Sequence, residues 1–145
     1  MIRPKNVKYE KSRRSLYKNK TKRGYSLEWK SNQCSFGDYA LCAVQGGMIL
    51  GSQIVSSKQA ILHKLKRKGQ LWVIIFPSVS ITGKPKEVRM GKGKGNVTDW
   101  GISVKPGQIL YELTGVPYSI AKIAFKTGGA KLPIRTKMQS NLFLS

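Results

Sequence analysis

The 145-residue sequence predicts an α+β domain that is preceded by a basic extension. From residue 36 onward, strand-like apolar runs and two helix-like segments follow each other without the regular alternation of a doubly wound sheet. Hydrophobic residues make up 40% of the chain, which is enough for one core. Few aliphatic side chains occur before residue 33. We therefore predict an extension over residues 1–32, a domain over 33–138 and a tail over 139–145.

The first predicted strand and helix are bounded by glycine. Residues 39–44 form an apolar run of strand length. In residues 51–68 apolar side chains recur with helical spacing, Ser52 is placed as an N-cap, and Gly69 is placed to end the helix. The apolar face of this helix consists of Ile54, Ile61 and Leu65, with Val55 and Leu62 beside it.

The remaining predicted elements are short strands and a second helix. Residues 71–76 combine aliphatic and aromatic side chains, which predicts a strand that lies in the core, and a turn is expected around residues 82–85. Pro117 opens the second helix, which Gly128-Gly129 ends. The inward face of that helix is predicted to consist of Ile120, Ile123 and Ala124. Further strands are predicted at residues 87–90, 99–104 and 109–113, with a last strand or extended tail from 132–134.

The charge of the chain indicates a polyanionic partner. Lysine and arginine number 27 against 6 aspartates and glutamates, which gives a formal net charge of +21 and a pI near 10.3. Binding to an anionic membrane would require a basic amphipathic helix or a lipid anchor, but the best predicted helix is less basic than the loops. No apolar stretch approaches the roughly 20 residues of a membrane span. Nucleic acid is the favoured partner.

The extension interleaves cations with aromatic rings. Cations meet phosphates and rings stack on unpaired bases, so this composition favours RNA binding. Alone, the segment is expected to be disordered. A cleavable organelle-targeting peptide is also basic and poor in acids, and this alternative stays open. The cations expected to contact RNA are Arg3, Lys5, Lys8, Lys11, Arg13, Arg14, Lys18, Lys20, Lys22 and Arg23.

Residues 84–96, which we term the glycine-lysine loop, carry the most informative motif. Glycine lets the backbone approach a partner closely, and lysine at every second position places cations along it. Such a loop is suited to a narrow, phosphate-lined space. The loop is neither a Walker A motif nor a dinucleotide fingerprint, because Asn96 stands where that fingerprint has its third glycine. Its expected contact residues are Lys84, Lys86, Arg89, Met90, Gly91, Lys92, Gly93, Lys94, Gly95 and Asn96.

A third basic cluster lies at the end of the first predicted helix. It consists of Lys64, Lys66, Arg67 and Lys68. Cations there stabilise the negative end of the helix dipole. A solvated helix end and a phosphate contact are both compatible with the cluster.

Catalytic and metal-binding patterns find little support. Cys34 and Cys42 form no CxxC pair, His63 is the only histidine, and the acidic residues are scattered. A structural zinc site normally takes four Cys or His ligands. We therefore predict no metal, no cofactor and no enzymatic activity, with both cysteines reduced and packed. A nuclease or RNA-modifying enzyme would need a metal or cofactor site that the sequence does not display.

Motifs in one collinear order over nearly the whole chain resemble the family of the bacterial-type large-subunit ribosomal protein sixteen. No single motif decides this resemblance, although residues 88–96 are the most specific. The motifs are Ser35-Phe-Gly37, Lys68-Gly-Gln-Leu-Trp-Val73, Ile81-Thr-Gly-Lys-Pro85, Val88-Arg-Met-Gly-Lys-Gly-Lys-Gly-Asn96, Ile109-Leu-Tyr-Glu112 and Ala130-Lys-Leu-Pro-Ile134.

The resemblance implies a fold, a place and partners. The fold would be an α/β-hammerhead-like mixed sheet with two helices, docked in large-subunit rRNA near the peptidyl-transferase centre. The extension and the glycine-lysine loop would help position A- and P-site tRNA, and neighbouring ribosomal proteins would be partners. Lys131 and Arg135 join the expected rRNA contacts. Neither a membrane nor a homo-oligomer is expected. Arg89 stands where some relatives carry a hydroxylated arginine.

Departures from the family bear on the compartment. Lys58 and Gln59 replace a usual arginine pair in the first helix, and residues 17–32 differ from the shorter, arginine-rich tract of the family. The family-like start at residues 1–5 leads us to expect no presequence. The divergent helix and the lysine-, asparagine- and isoleucine-rich composition favour a mitochondrial ribosome over a bacterial or plastid one. A free RNA-binding assembly factor or RNA chaperone is the alternative function.

Overall fold

The computed structural model describes residues 2–11, 33–91 and 93–140, and it has the predicted α+β class with two helices. The strands are β1 (Tyr39–Ala43), β2 (Gly47–Leu50), β3 (Gln70–Val73), β4 (Val79–Gly83), β5 (Asn96–Val104), β6 (Ile109–Thr114) and β7 (Thr136–Ser140). The helices are α1 (Gly51–Leu65) and α2 (Tyr118–Gly129). The predicted elements at 39–44, 51–68, 99–104, 109–113 and 117–128 correspond to five of these.

The seven described strands form two sheets, in keeping with the predicted α+β class. One sheet has four strands in the order β3-β6-β1-β7, and the other has three in the order β2-β5-β4. The strand pairs in both are antiparallel. In the larger sheet, Leu41 of β1 lies opposite Tyr111 of β6. In the smaller sheet, the nine-residue β5 pairs with both neighbours, so the ends of this long strand position the segments on either side of it.

The main core lies between the four-stranded sheet and the two helices. Leu41, Leu113, Ile61 and Phe125 are fully buried there. The helices approach closely at Gly128, where an added Cβ would lie only 2.4 Å from Cγ1 of Ile61. The helices and the sheet are also joined by hydrogen bonds. Ser57 Oγ donates to the Gly128 carbonyl at 2.9 Å, and the Tyr111 hydroxyl donates to the Ile54 carbonyl at 3.0 Å.

A short segment crosses the other face of the four-stranded sheet, and we term residues 34–37 the back-face strap. Glu112 of β6 is 1% exposed on this face. Its carboxylate accepts hydrogen bonds from three successive backbone amides, those of Ser35 (3.1 Å), Phe36 (2.7 Å) and Gly37 (2.9 Å). Cys34 packs against Cys42 and its neighbours at the same face. The strap is thus fixed to the sheet immediately before β1.

Several strand predictions are wrong. The sequence patterns give no indication of β2 or β4. Residues 87–90 form no strand, because their first two residues belong to a turn in which the Val88 amide donates to the Pro85 carbonyl at 3.3 Å. The predicted strand at 71–76 ends at Val73. Within it only Ile75 is fully buried, whereas Phe76 is 48% exposed. The physical reason is that β3 is an edge strand with a partner on one side only.

The helix ends also differ from expectation. The first helix begins at Gly51, and the Gln53 side chain accepts a hydrogen bond from the Leu50 amide at 2.9 Å, so Ser52 is not the N-cap. It ends at Leu65 and not at Gly69, because two left-handed residues follow. In α2, Ile123 is 57% exposed, since that side of the helix faces away from the sheet.

The last strand begins later than residues 132–134. Leu132 and Ile134 instead fill the core from the connection after α2. The strand β7 reaches Ser140 and so crosses the predicted boundary at residue 138.

Candidate RNA-binding surface

The glycine-lysine loop joins β4 to β5. Its stem is tight, since an added Cβ at Gly95 would lie 2.2 Å from the Gly83 carbonyl oxygen. Its tip is open. Gly91 and Gly93 have φ angles of 107° and 78°, which favour glycine, and no atom lies within 4 Å of a Cβ built at either. The loop is therefore narrow at its base, and the space around Gly91 and Gly93 at its tip is large enough for a partner to approach.

The described cations of the loop differ in their surroundings. Lys84 Nζ donates to the Gly91 carbonyl, which braces the tip from within. Lys86, Arg89 and Lys94 are exposed, and Met90 is wholly exposed. An unpaired methionine in solvent gains nothing for the fold. The side chains of Lys86, Arg89 and Met90 thus lie at the surface of the loop.

The start of the basic extension lies beside this loop. Lys11 Nζ donates to the Lys94 carbonyl at 3.2 Å, and Ile2 packs on the main core. Between them, residues 3–8 and Glu10 line a groove of about 760 Å³ together with Trp100. Trp100 belongs to β5, the strand that the loop enters. The structure therefore joins two segments that lie more than 80 positions apart in the sequence into one basic surface.

Other predicted contact residues lie elsewhere. The exposed cluster of Lys64, Lys66, Arg67 and Lys68 is at the end of α1, and the exposed Lys131 and Arg135 are in the connection between α2 and β7. The predicted contacts outside the described residues are Arg13, Arg14, Lys18, Lys20, Lys22, Arg23 and Lys92.

The described residues include two free cysteines, Cys34 and Cys42, on the back face of the four-stranded sheet. Burial above all, with the nearby Cys34 and Glu112 acting in the same direction, raises the pKa of the Cys42 thiol to about 11. Burial and then Glu112 also raise the pKa of Cys34, although its own backbone hydrogen bond opposes them. Both free thiols therefore stay protonated at neutral pH and are poor nucleophiles. Within the described part of the chain, no group of three or more His, Cys, Asp or Glu is placed to hold a metal ion.

Sequence reasoning missed Glu112 as a structural residue and the pairing of Phe36 with Trp72. The rings of these two aromatic residues stack with centroids 6.0 Å apart. The available signal for Glu112 was a lone carboxylate in the otherwise apolar or aromatic stretch from Ile109 to Leu113, because such a group is buried only with partners. No spacing rule links residue 36 to residue 72.

Comparison with known proteins gives the family. The model of ribosomal protein L16p/L10e matches residues 4–139. The chain belongs to this family. Membership makes it a structural component of a ribonucleoprotein and not an enzyme, as the sequence predicts.

The relatives are similar over nearly their full length. The large ribosomal subunit protein uL16 of Alkalilimnicola ehrlichii is 44% identical over 136 residues, 94% of each chain. That of Buchnera aphidicola subsp. Baizongia pistaciae is 44% identical over 144 residues, which are 99% of this chain and 100% of the relative. That of Maricaulis maris is 41% identical over 142 residues, 98% of each. The resemblance seen in the motifs is thereby confirmed at the level of the family.

Neither α1 nor α2 has the length and apolar content that crossing a membrane requires, and no other helix among the described residues does.

Proposed function

We propose that this chain is a structural constituent of the large ribosomal subunit and that it binds rRNA through its basic surface. Relatives that match it end to end are named as proteins of that subunit. The net charge of +21 supplies the attraction to rRNA, because each cation that neutralises a phosphate releases a counterion. The observation that carries the proposal is the contact between Lys11 and the Lys94 carbonyl, which unites the extension and the glycine-lysine loop.

The place of the protein in the subunit is the finer part of the proposal. We infer a site near the peptidyl-transferase centre, with the glycine-lysine loop directed toward the A- and P-site tRNAs. The open tip at Gly91 and Gly93 supports this, because a thin loop without neighbours can enter a crowded cleft. Arg89 and Lys94 supply charge for the tRNA backbone there.

Transfer RNA binding by subunits that carry a loop variant tests this role. We expect the change of Lys92 and Lys94 to alanine to weaken A-site tRNA binding several-fold while the subunits still assemble. A control with Lys58→Ala and Lys137→Ala removes the same charge from α1 and β7 and should leave tRNA binding unchanged. Unchanged tRNA binding in the loop variant, or an equal loss in the control, would reject the tRNA role.

The compartment is a separate proposal, namely a mitochondrial ribosome. Divergence from the bacterial relatives supports this proposal. It is seen in Lys58 and Gln59, which stand in place of an arginine pair, and in the lysine-rich composition. Fractionation of the source cell, with the chain followed by mass spectrometry, tests it. Recovery with mitochondrial ribosomes supports the proposal, and recovery with cytoplasmic or plastid ribosomes rejects it.

A further inference from the structure

A stacked pair of aromatic rings stands on the back face of the four-stranded sheet. Leu71 and Val73 pack toward the main core, so Trp72 between them faces the other way. Phe36 of the back-face strap stacks on Trp72 with an angle of 24° between the ring planes. Phe36 as a residue nevertheless remains 64% exposed. This face of the pair is open to a third planar group.

The exposed ring is held in place from its backbone. The Phe36 amide donates to the Glu112 carboxylate at 2.7 Å, and the amides on either side of it bond to the same group. A large apolar side chain in solvent contributes little to stability, and a preordered one loses little entropy when it binds. Such rings serve as platforms on which unpaired bases stack.

A strained basic turn precedes the strand that carries Trp72. Lys66 and Arg67 have φ angles of 49° and 66°, the left-handed region that non-glycine residues rarely adopt. Lys68 follows, and its amide donates to the Leu65 carbonyl at 2.9 Å. All three side chains are exposed. A left-handed residue commonly ends a helix and is usually glycine; at this helix end glycine or asparagine would relieve the strain but would remove the charge.

The turn and the ring pair are close enough to contact one ligand. Lys68 and Trp72 are only four residues apart, a separation that cannot exceed about 13 Å even in a fully extended chain. The glycine-lysine loop belongs to the other sheet, so this is a separate surface. Three cations favour a polyanion, and the exposed ring favours a partner with a planar apolar face. Single-stranded RNA has both properties.

We propose that Phe36, stacked on Trp72, together with Lys66, Arg67 and Lys68, forms a second RNA-binding surface that takes an unpaired segment, with a base on Phe36 and phosphates on the basic turn. This rests on the proposed role as an rRNA-binding protein and identifies the class of RNA structure that this face contacts.

The ring is tested with the full chain and two fluorescent probes, a 12-nucleotide oligouridylate and a 12-base-pair RNA duplex. Phe36→Leu keeps an apolar side chain and the amide bonds to Glu112. We expect it to weaken oligouridylate binding at least fivefold, since base stacking contributes about 1–3 kcal/mol per base, and to leave duplex binding unchanged. The matched control is Tyr118→Leu, because Tyr118 is 54% exposed on α2 at the opposite face of the sheet. No loss with Phe36→Leu, or equal losses for both probes or both variants, would overturn the proposal.

The turn is tested by a change that separates stability from binding. Lys66→Gly removes both the strain and the charge, so we expect the melting temperature to rise by a few degrees while oligouridylate affinity falls at least twofold. Lys58→Ala removes one charge from the middle of α1 and should cost less affinity. An affinity loss no larger than that of Lys58→Ala would overturn the role of the turn.

Two further outcomes separate this proposal from the proposed function. Binding of polyglutamate with the same dependence on Phe36 would point to an acidic protein partner and overturn the assignment to RNA. Absence of the chain from large subunits would instead reject the proposed function. Discrimination between oligouridylate and duplex by Phe36 would still uphold the surface in that case.

Discussion

The back-face strap and the glycine-lysine loop are both short irregular segments next to a strand, yet they are built in opposite ways. In the strap, three backbone amides donate hydrogen bonds to the buried carboxylate of Glu112. In the loop, a Cβ added at Gly91 or Gly93 would have no atom within 4 Å. The strap residues 34–37 contain no charged side chain, whereas the loop contains several cations.

The difference shows how stability and binding are divided in this protein. Segments with inward partners, such as the strap and the crossing of α1 with α2, stabilise the fold. The loop carries Lys86 and Arg89 at its surface, and we propose that these cations bind RNA. Substitutions in the first group should therefore change the free energy of unfolding, and those in the second should change affinity.

The largest expected effect is at Glu112. Replacement by alanine leaves three amides without their acceptor, that of Gly37 at a buried hydrogen bond and those of Ser35 and Phe36 at half-buried ones, and each buried unsatisfied group costs about 1–3 kcal/mol. We expect Glu112→Ala to lower the free energy of unfolding by about 3 kcal/mol or more in urea denaturation. Glu112→Gln, which keeps one carbonyl oxygen as an acceptor, should cost less. A loss below about 1 kcal/mol for the alanine variant would contradict the role of the strap.

The next effect is at the helix crossing. A Cβ at Gly128 would lie 2.4 and 2.7 Å from two carbons of the buried Ile61. Overpacking of this kind costs about 1–3 kcal/mol, so Gly128→Ala should lower the urea midpoint clearly. The additional change of Ile61 to valine removes Cδ1 and should recover part of the loss. Additive losses in the double variant would show that contact with Ile61 is not the cause.

A smaller effect concerns pH at the back face. The pKa of Cys42 is raised from 9.0 to about 11 in the fold, first of all by burial. Between these values the unfolded chain has lost the proton that the native thiol keeps, so this contribution to stability is present below pH 9 and declines toward pH 11. We expect Cys42→Ala to show a shallower decline in urea midpoint from pH 8 to 10.5 than the unmodified chain. Parallel declines in the two proteins would contradict this.

The smallest effect on stability is expected in the loop. Lys86 and Arg89 are exposed, so their joint replacement by alanine should change the free energy of unfolding by no more than about 0.5 kcal/mol. The same variant should bind rRNA fragments more weakly and with a shallower salt dependence, because fewer phosphates are neutralised. A marked loss of stability without a change in RNA affinity would reverse the comparison between the loop and the strap.

Sequence patterns predict those segments whose side chains nearly all lie in one environment, either the buried core or the solvent. The apolar runs that become β1 and β6 are buried almost throughout, and the loop is evident from its alternation of glycine and lysine. The strand β2 is only four residues long and continues directly into α1, so no turn separates the two. The strand β4 contains Ser80, Thr82 and Gly83, a composition that also indicates a turn.

Contacts between distant residues lie beyond such patterns. Ser35 and Glu112 are 77 positions apart, and Lys11 and Lys94 are 83 apart. Their proximity depends on the pairing of β1 with β6 and on the path of the extension past Trp100, which the local sequence does not encode. The loop could therefore be predicted as a site, whereas its union with the extension could not.

The proposed role in the large ribosomal subunit is best tested by sedimenting a lysate of the source cell or organelle through a sucrose gradient in high salt. The chain is followed across the gradient by quantitative mass spectrometry. If the chain is a constituent of the large subunit, we expect one copy per particle in the large-subunit and monosome peaks. Recovery only in light fractions or in immature subunit particles would contradict it and would indicate an RNA-binding assembly factor.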